Sequence, residues 1–222
     1  SYMQNLLERV EPIPFEKGFF PLHIIQEKKR MLGGEEKKQR LQDTSKGLIQ
    51  EIALSQGITE TIVETTSIPL KSLMQPAGTP IRHLILEGRA GSGKSSLLRY
   101  IAYQFSKDKA ILGDWAASFK YAFLIPLLEM RNYSSLGEFL KKEEPILFED
   151  VKTEDLELFI KQHRKEILFL FDGYDEIAHT PLANSLEKNF FHESFHLIIT
   201  SRPGTLSKTL FCRDHATLEV KG

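Results

Sequence analysis

The segment GRAGSGKS at residues 88–95 has the residue types and the spacing of a loop that binds phosphate. It fits the pattern G-x-x-x-x-G-K-[ST] at every position, with Gly88 and Gly93 as its fixed glycines. Glycine has no side chain, so several backbone N–H groups can approach one phosphate group together. Lys94 would reach the β- and γ-phosphates of a nucleotide, and the hydroxyl of Ser95 would ligate Mg²⁺. The segment therefore predicts a site for a nucleoside triphosphate.

The residues on either side of the loop support this prediction. A short apolar run, His83–Leu86, precedes the loop, and a helical pattern over Ser95–Phe105 follows it. A helix that begins at the loop adds the partial positive charge of its N-terminus to the site. A chance glycine-rich turn before a helix is the alternative. The residues expected to contact the nucleotide are Gly88, Arg89, Ala90, Gly91, Ser92, Gly93, Lys94, Ser95 and Ser96.

A second apolar run, Ile167–Phe171, is followed by the acidic residues Asp172, Asp175 and Glu176. An acid at the carboxyl end of a buried strand lies where ligands of open α/β sheets bind. Asp172 is therefore the candidate that holds Mg²⁺ together with Ser95. Asp175 and Glu176 are the candidates that orient or activate an attacking water. The alternative is that these acids only begin the next helix, a position that Asp and Glu favour.

An arginine, Arg202, follows a third apolar run, His196–Thr200. A guanidinium group matches phosphate oxygens with two parallel hydrogen bonds, so Arg202 could contact the γ-phosphate and respond to its presence. The alternative is an exposed arginine in a turn that Pro203 fixes. The candidate catalytic residues are then Lys94, Asp175, Glu176 and Arg202.

These candidates need a scaffold, and from Arg82 onward short apolar runs alternate with amphipathic stretches. The runs are too short for free-standing helices and lack polar alternation, which favours strands buried on both faces of a parallel sheet. The predicted strands are His83–Leu86, Tyr121–Leu128, Ile167–Phe171, His196–Thr200 and Ala216–Val220. The predicted helices are Ser95–Phe105, Leu136–Lys142, Thr153–His163 and Leu182–Asn189.

The first part of the chain has a different character. We predict a small, mainly helical segment at residues 1–64 and a nucleotide-binding domain at residues 65–222. Apolar residues between Leu41 and Leu54 are spaced like the buried stripe of a helix. Residues 62–79 are predicted to form a linker, on the signals of Pro69, Pro76, Gly78 and the following Pro80.

Composition excludes collagen-like, disordered and disulfide-stapled proteins. Of the 222 residues, 41% are hydrophobic and 27% are charged, which is the balance of a globular chain with a core. No apolar run reaches the roughly 18 residues that a membrane helix needs, so we expect no membrane partner. The formal net charge of -1 gives no overall attraction to nucleic acid, and we expect no specific nucleic-acid partner. A single cysteine excludes an intrachain disulfide and favours a reducing, cytoplasmic location.

Together the motifs resemble those of the NACHT family of signal-transducing P-loop NTPases, a STAND group, over residues 65–222. GRAGSGKSS resembles the Walker A loop of that family, LFLFDGYDE its extended Walker B motif, and LIITSRP its sensor strand. The resemblance implies a three-layer α/β fold whose parallel sheet has the strand order five-one-four-three-two. It also implies that protein partners bind through domains that follow residue 222 in family members.

The same resemblance implies roles for individual residues. Ser95 and Asp172 would hold Mg²⁺, Asp175 and Glu176 would be the catalytic acids, and Arg202 would be the sensor. The expected function is Mg²⁺-dependent binding of ATP and slow hydrolysis to ADP, used as a conformational switch for signalling or assembly. GTP is the less favoured nucleotide.

Two alternative functions stay open from the residues. A module that holds a nucleotide without hydrolysing it has the same sequence features as a slow switch. A P-loop kinase for small molecules or nucleotides shares the loop, but it should carry an arginine-rich lid. Residues 176–195 contain no arginine, which counts against the kinase.

Overall fold

One mixed β-sheet organises the part of the chain that the computed structural model describes. The described residues are 23–31, 61–76, 78, 80–148, 150–191, 195–207, 211 and 214–221. The strands are β1 (His23–Met31), β2 (Thr61–Ser67), β3 (His83–Glu87), β4 (Tyr121–Pro126), β5 (Ile167–Asp172), β6 (His196–Ser201) and β7 (His215–Lys221). They lie side by side in the order β2-β1-β7-β3-β6-β5-β4.

The strands from β3 to β7 form the predicted parallel sheet. β3 pairs with β6 and β7, and β5 pairs with β6 and β4, in every case in parallel. Counted from β3 along the chain, the order is five-one-four-three-two, so the α/β class and the order of these strands are confirmed. The sheet differs from the prediction in two added strands, β1 and β2, at one edge.

Helices connect the parallel strands and cover the sheet. They are α1 (Lys94–Lys107), α2 (Asp114–Ala117), α3 (Leu127–Met130), α4 (Leu136–Glu143), α5 (Pro145–Phe148), α6 (Thr153–Gln162), α7 (Tyr174–Ile177) and α8 (Pro181–Leu186). Short 3₁₀ turns occur at Leu70–Ser72 and Lys109–Ile111, and a π-helical turn at Glu187–Phe191 follows α8. The predicted strand Tyr121–Leu128 is too long, because β4 ends at Pro126 and α3 begins directly after it.

Of the predicted mainly helical segment at residues 1–64, the residues that the structure describes form strands instead. β1 pairs antiparallel with β7, and β2 pairs antiparallel with β1, with Lys28 opposite Glu64. Threonine, isoleucine and valine dominate β2 and favour a strand. In β1 the charged residues interrupt the apolar pattern, so the sequence does not indicate a strand there. The stripe between Leu41 and Leu54 lies outside the described residues. The domain boundary between residues 64 and 65 stays a prediction, and it falls within β2.

The prediction of a linker at residues 62–79 is wrong for the residues of that range that the structure describes. β2 occupies its first residues, and Leu73 and Met74 are buried in the core. Trp115 donates its indole N–H to the carbonyl oxygen of Leu70 at 3.1 Å. This segment therefore packs against the domain, and Pro69 follows the end of β2 rather than marking a free connection.

His83, the first residue of β3, is a fully buried titratable group in the core. Burial lowers the pKa of its imidazole from 6.5 to about 4, while a hydrogen bond with the backbone of Phe195 acts in the opposite direction. The nearby charges of Arg82, His196 and His215 lower this pKa as well. In the unfolded chain the His83 imidazole takes up a proton near pH 6.5, whereas in the folded protein it does so only near pH 4. The stability that neutral His83 contributes is therefore lost as the pH falls through this window.

We expect the shifted pKa of His83 to lower the free energy of unfolding by about 2 kcal/mol when the pH falls from 7 to 5. Urea unfolding at the two pH values measures this loss. The variant His83→Gln cannot take up a proton and should lose about 2 kcal/mol less than the wild type over the same interval. Exposed His179→Asn is the control, since Asn tolerates the left-handed backbone of that position, where φ is 70°. An equal loss in His83→Gln and the wild type would contradict the prediction.

Candidate functional site

The loop between β3 and α1 needs glycine for two different reasons. Gly91 and Gly93 have φ angles of 77° and 90°, in the left-handed region that favours glycine. At Gly88 the reason is space, because an added Cβ would lie 2.7 Å from the carbonyl oxygen of Val220. Gly88 also donates its N–H to the carbonyl oxygen of Ser201 at 3.3 Å. The first residue of the loop is thus held tightly between the ends of β6 and β7.

The N-terminus of α1 presents backbone N–H groups to this loop. The first helical hydrogen bond runs from the N–H of Leu97 to the carbonyl oxygen of Gly93, at 2.9 Å. The N–H groups of Lys94, Ser95 and Ser96 come before it, and the N-cap Gly93 offers no side chain to accept from them. The first turn also contains no acidic residue. Uncapped N–H groups and the helix dipole favour an anion at this end of α1.

The side chain of Lys94 lies over its own loop. Its ammonium donates to the carbonyl oxygens of Gly88 at 2.7 Å and Arg89 at 3.0 Å. Burial lowers the pKa of Lys94 below its ordinary value, while the carboxylates of Asp175 and Asp172 oppose that shift. Phosphate oxygens carry charge and would compete well with two neutral carbonyls for this ammonium.

Ser95 and Asp172, the predicted magnesium pair, lie in direct contact. The Ser95 hydroxyl donates to Oδ1 of Asp172 at 3.0 Å, across 77 positions of sequence. The hydroxyl of Thr200 donates to the same oxygen at 2.7 Å and accepts the N–H of Gly173 at 2.8 Å. Hydroxyl and carboxylate oxygens are the ligands that Mg²⁺ prefers, so these residues fit that ion. Thr200 was not among the predicted site residues, although its place at the carboxyl end of a buried strand was a signal.

The predicted catalytic acid Asp175 and the predicted sensor Arg202 contact each other. Nε of Arg202 donates to Oδ2 of Asp175 at 2.8 Å. The Asp175 side chain is 13% exposed and that of Arg202 is 63% exposed, so only the arginine is open to solvent. Glu176 is exposed beside them. The structure therefore brings all three candidates to the same edge of the sheet as the loop.

Helix α7, which carries Asp175 and Glu176, is fixed by its first residue. Tyr174 is buried, and its hydroxyl donates to the carboxylate of Glu187 in the π-helical turn. Burial and this hydrogen bond both raise the pKa of the Tyr174 phenol. The tyrosine thus remains a neutral donor that ties the acidic turn to the helices behind it.

The remaining predicted contact residues surround the opening of the loop. Arg89, Ala90 and Gly91 are exposed, and Ser96 is half-buried. Ser92 differs, since it is buried and its hydroxyl has no hydrogen-bond partner among the described residues. The loop therefore turns its exposed residues and the α1 N-terminus outward, while Ser92 packs beneath it.

A comparison with known families gives an independent result. The family model described as NACHT domain matches residues 82–222, more than half of the chain. The chain belongs to the NACHT family. It is also similar to a protein of Xenopus tropicalis named NLR family CARD domain-containing protein 4, with 31% identity over 132 residues. That alignment covers 58% of this chain and 12% of the relative, so the chain spans a small part of the relative's length.

The match confirms the resemblance predicted from the sequence and assigns the NACHT domain to the nucleotide-binding P-loop NTPases. The matched range contains the phosphate loop, the acidic turn and the end of β6. In the residues that the structure describes, no helix of this NACHT protein has the length and hydropathy to cross a membrane.

Proposed function

We propose that this NACHT domain binds ATP with Mg²⁺, hydrolyses it slowly to ADP, and uses the nucleotide state as a conformational switch. The hydrogen bond between Ser95 and Asp172 carries the proposal, because it joins the phosphate loop to the acid at the end of β5. ATP is favoured over GTP on the family resemblance. Signalling or assembly in the cytoplasm, through protein partners that bind other domains, is the setting that the resemblance implies.

Binding of the phosphates would fall to Lys94 and the N-terminus of α1. The ammonium would exchange the carbonyl oxygens of Gly88 and Arg89 for phosphate oxygens, and the N–H groups of the first helical turn would donate to the same phosphates. The Ser95 hydroxyl directs its proton at Asp172, which leaves its oxygen lone pairs for the metal. Bound Mg²⁺ would neutralise negative charge on the phosphates.

Hydrolysis would depend on the acidic turn. Glu176 is exposed and can orient a water or accept its proton, while Asp175 is already engaged with Arg202. A γ-phosphate would compete with Asp175 for the guanidinium group. Arg202 would then change partners when the triphosphate binds, so the two nucleotide states differ in the contacts of this residue.

The nucleotide carried by the purified protein tests the proposal. Acid would release it, and chromatography would identify it. Bound ADP supports a switch that has hydrolysed its ATP, whereas bound ATP supports the module that holds nucleotide without turnover. An empty protein that also fails to bind added ATP or GTP in the presence of Mg²⁺ would refute both.

Removing the acids of the turn should raise the amount of retained triphosphate. In Asp175→Asn/Glu176→Gln, we expect hydrolysis to be at least about tenfold slower in a single-turnover assay with radiolabelled ATP, since the acidic turn no longer has a carboxylate to accept the proton. The single variants separate the two residues, because only Asp175→Asn also removes the negative charge that pairs with Arg202. The control is Glu154→Gln/Asp155→Asn, which removes two exposed neighbouring acids on α6. Wild-type hydrolysis in the acidic-turn variant would remove both residues from the catalytic assignment.

A further inference from the structure

We infer that Thr200 is a positioning residue that holds Asp172 in place for the metal and so sets the affinity of the site for Mg²⁺. The inference rests on the proposed function and extends it to a residue on β6. Thr200 is completely buried, and its hydroxyl bridges the backbone N–H of Gly173 and Oδ1 of Asp172. It therefore contacts the candidate metal ligand without facing the nucleotide itself.

The direction of the hydrogen bonds at Thr200 leaves little freedom. A hydroxyl has one proton, and because its oxygen accepts the N–H of Gly173, that proton is committed to Asp172. Oδ1 of Asp172 also accepts from Ser95, so two donors fix the plane of the carboxylate. The other oxygen, Oδ2, accepts no hydrogen bond from the described residues. A carboxylate held through one oxygen presents the second to a cation in a fixed orientation.

The strand that carries Thr200 explains how it reaches the turn. β6 lies directly beside β5, with Ile199 opposite Phe171. Thr200 and Arg202 are two residues apart. Thr200 contacts Asp172 at the end of β5, and Arg202 contacts Asp175 in the helix that follows. The Thr200 contact is buried and uses a neutral hydroxyl, so it persists whether or not a phosphate competes for Arg202.

The test measures the affinity of the protein–ADP complex for Mn²⁺, with electron paramagnetic resonance reporting unbound Mn²⁺. Thr200→Val replaces the hydroxyl with a methyl group and should weaken Mn²⁺ binding at least about tenfold, as is typical when the partner of a metal ligand is removed. Thr200→Ser keeps the hydroxyl and should bind Mn²⁺ like the wild type. ADP affinity in EDTA should stay within about twofold in both variants, because the phosphate contacts of Lys94 are unchanged.

Ser201→Ala is the matched control. Ser201 is also fully buried at the end of β6, but its hydroxyl donates to the carbonyl oxygen of Arg202 and does not contact Asp172. We expect its Mn²⁺ affinity to equal that of the wild type. Wild-type Mn²⁺ affinity in Thr200→Val, or equal weakening in Thr200→Val and Thr200→Ser, would overturn the inference.

A second measurement does not depend on whether Thr200→Val folds. In wild-type protein with labelled threonine methyl groups, the NMR signal of Thr200 should shift when Mg²⁺ is added to the ADP complex. An unshifted signal would overturn the inference while ADP binding itself is intact. A wild-type protein that does not bind ADP would be a different result, since it would overturn both the proposed function and this inference.

Discussion

Replacing Lys94 with alanine should weaken ATP binding about 100-fold or more. The ammonium lies over the phosphate loop and is directed at two carbonyl oxygens that a phosphate group can replace. Hydrogen bonds between a charged donor and a charged acceptor each contribute roughly 1.5–3 kcal/mol, and about 3 kcal/mol corresponds to a 100-fold change in affinity. Isothermal titration calorimetry with ATP and Mg²⁺ measures the loss.

The control for this variant is Lys107→Ala. Lys107 lies in the last turn of the same helix, where its ammonium donates to the hydroxyl of Tyr103, far from the loop. Both variants remove one positive charge from α1, so a difference between their affinities for ATP reports the local role of Lys94. Equal affinities of Lys94→Ala and Lys107→Ala for ATP would place the binding site elsewhere.

Replacing Gly88 with alanine should destabilise the domain by about 3 kcal/mol or more, together with the loss of nucleotide binding. The added Cβ would lie 2.7 Å from the carbonyl oxygen of Val220 and even closer to the hydroxyl of Ser92. Ser92 could turn away, but Val220 belongs to β7 and is paired within the sheet. The loop must therefore move, and the insertion of a methyl group into a packed site costs roughly 1–3 kcal/mol before any lost hydrogen bond is added. Urea unfolding measures the change.

Gly204→Ala separates this effect from ordinary backbone strain. Gly204 has a φ angle of 76°, and an added Cβ there would meet nothing within 4 Å. That variant should cost about 1 kcal/mol, the typical penalty for a left-handed residue with a side chain. If Gly88→Ala lowers the free energy of unfolding no more than Gly204→Ala does, the contact with Val220 rearranges at little energetic cost.

The parallel part of the fold could be predicted because its signals are local. Strands such as β5 are buried along nearly their whole length and read as continuous apolar runs, and the phosphate loop has a fixed spacing between a strand and a helix. β1 and β2 could not be predicted in this way. They are antiparallel and pair residues far apart in sequence, and β1 carries the charges of Glu27, Lys28 and Lys29. Such a strand is defined by its partners rather than by its own pattern.

The residues of the candidate site could be predicted as types, but their contacts could not. Spacing pointed to Lys94 and Asp172, since each stands at the end of a predicted strand or loop. The pairing of Arg202 with Asp175 depends on side-chain directions across two strands, which no linear pattern encodes. Thr200 was missed for a different reason, because a threonine in a β-branched run is read first as a strand residue.

The contact of Gly88 with β7 has a consequence for the start of the chain. Val220 crowds Gly88 on one side, and it pairs with Ile24 of β1 on the other. A displacement of the phosphate loop would therefore press first on β7 and, through it, on β1. β1 precedes the matched NACHT residues, so the surroundings of the phosphate loop extend beyond the family boundary.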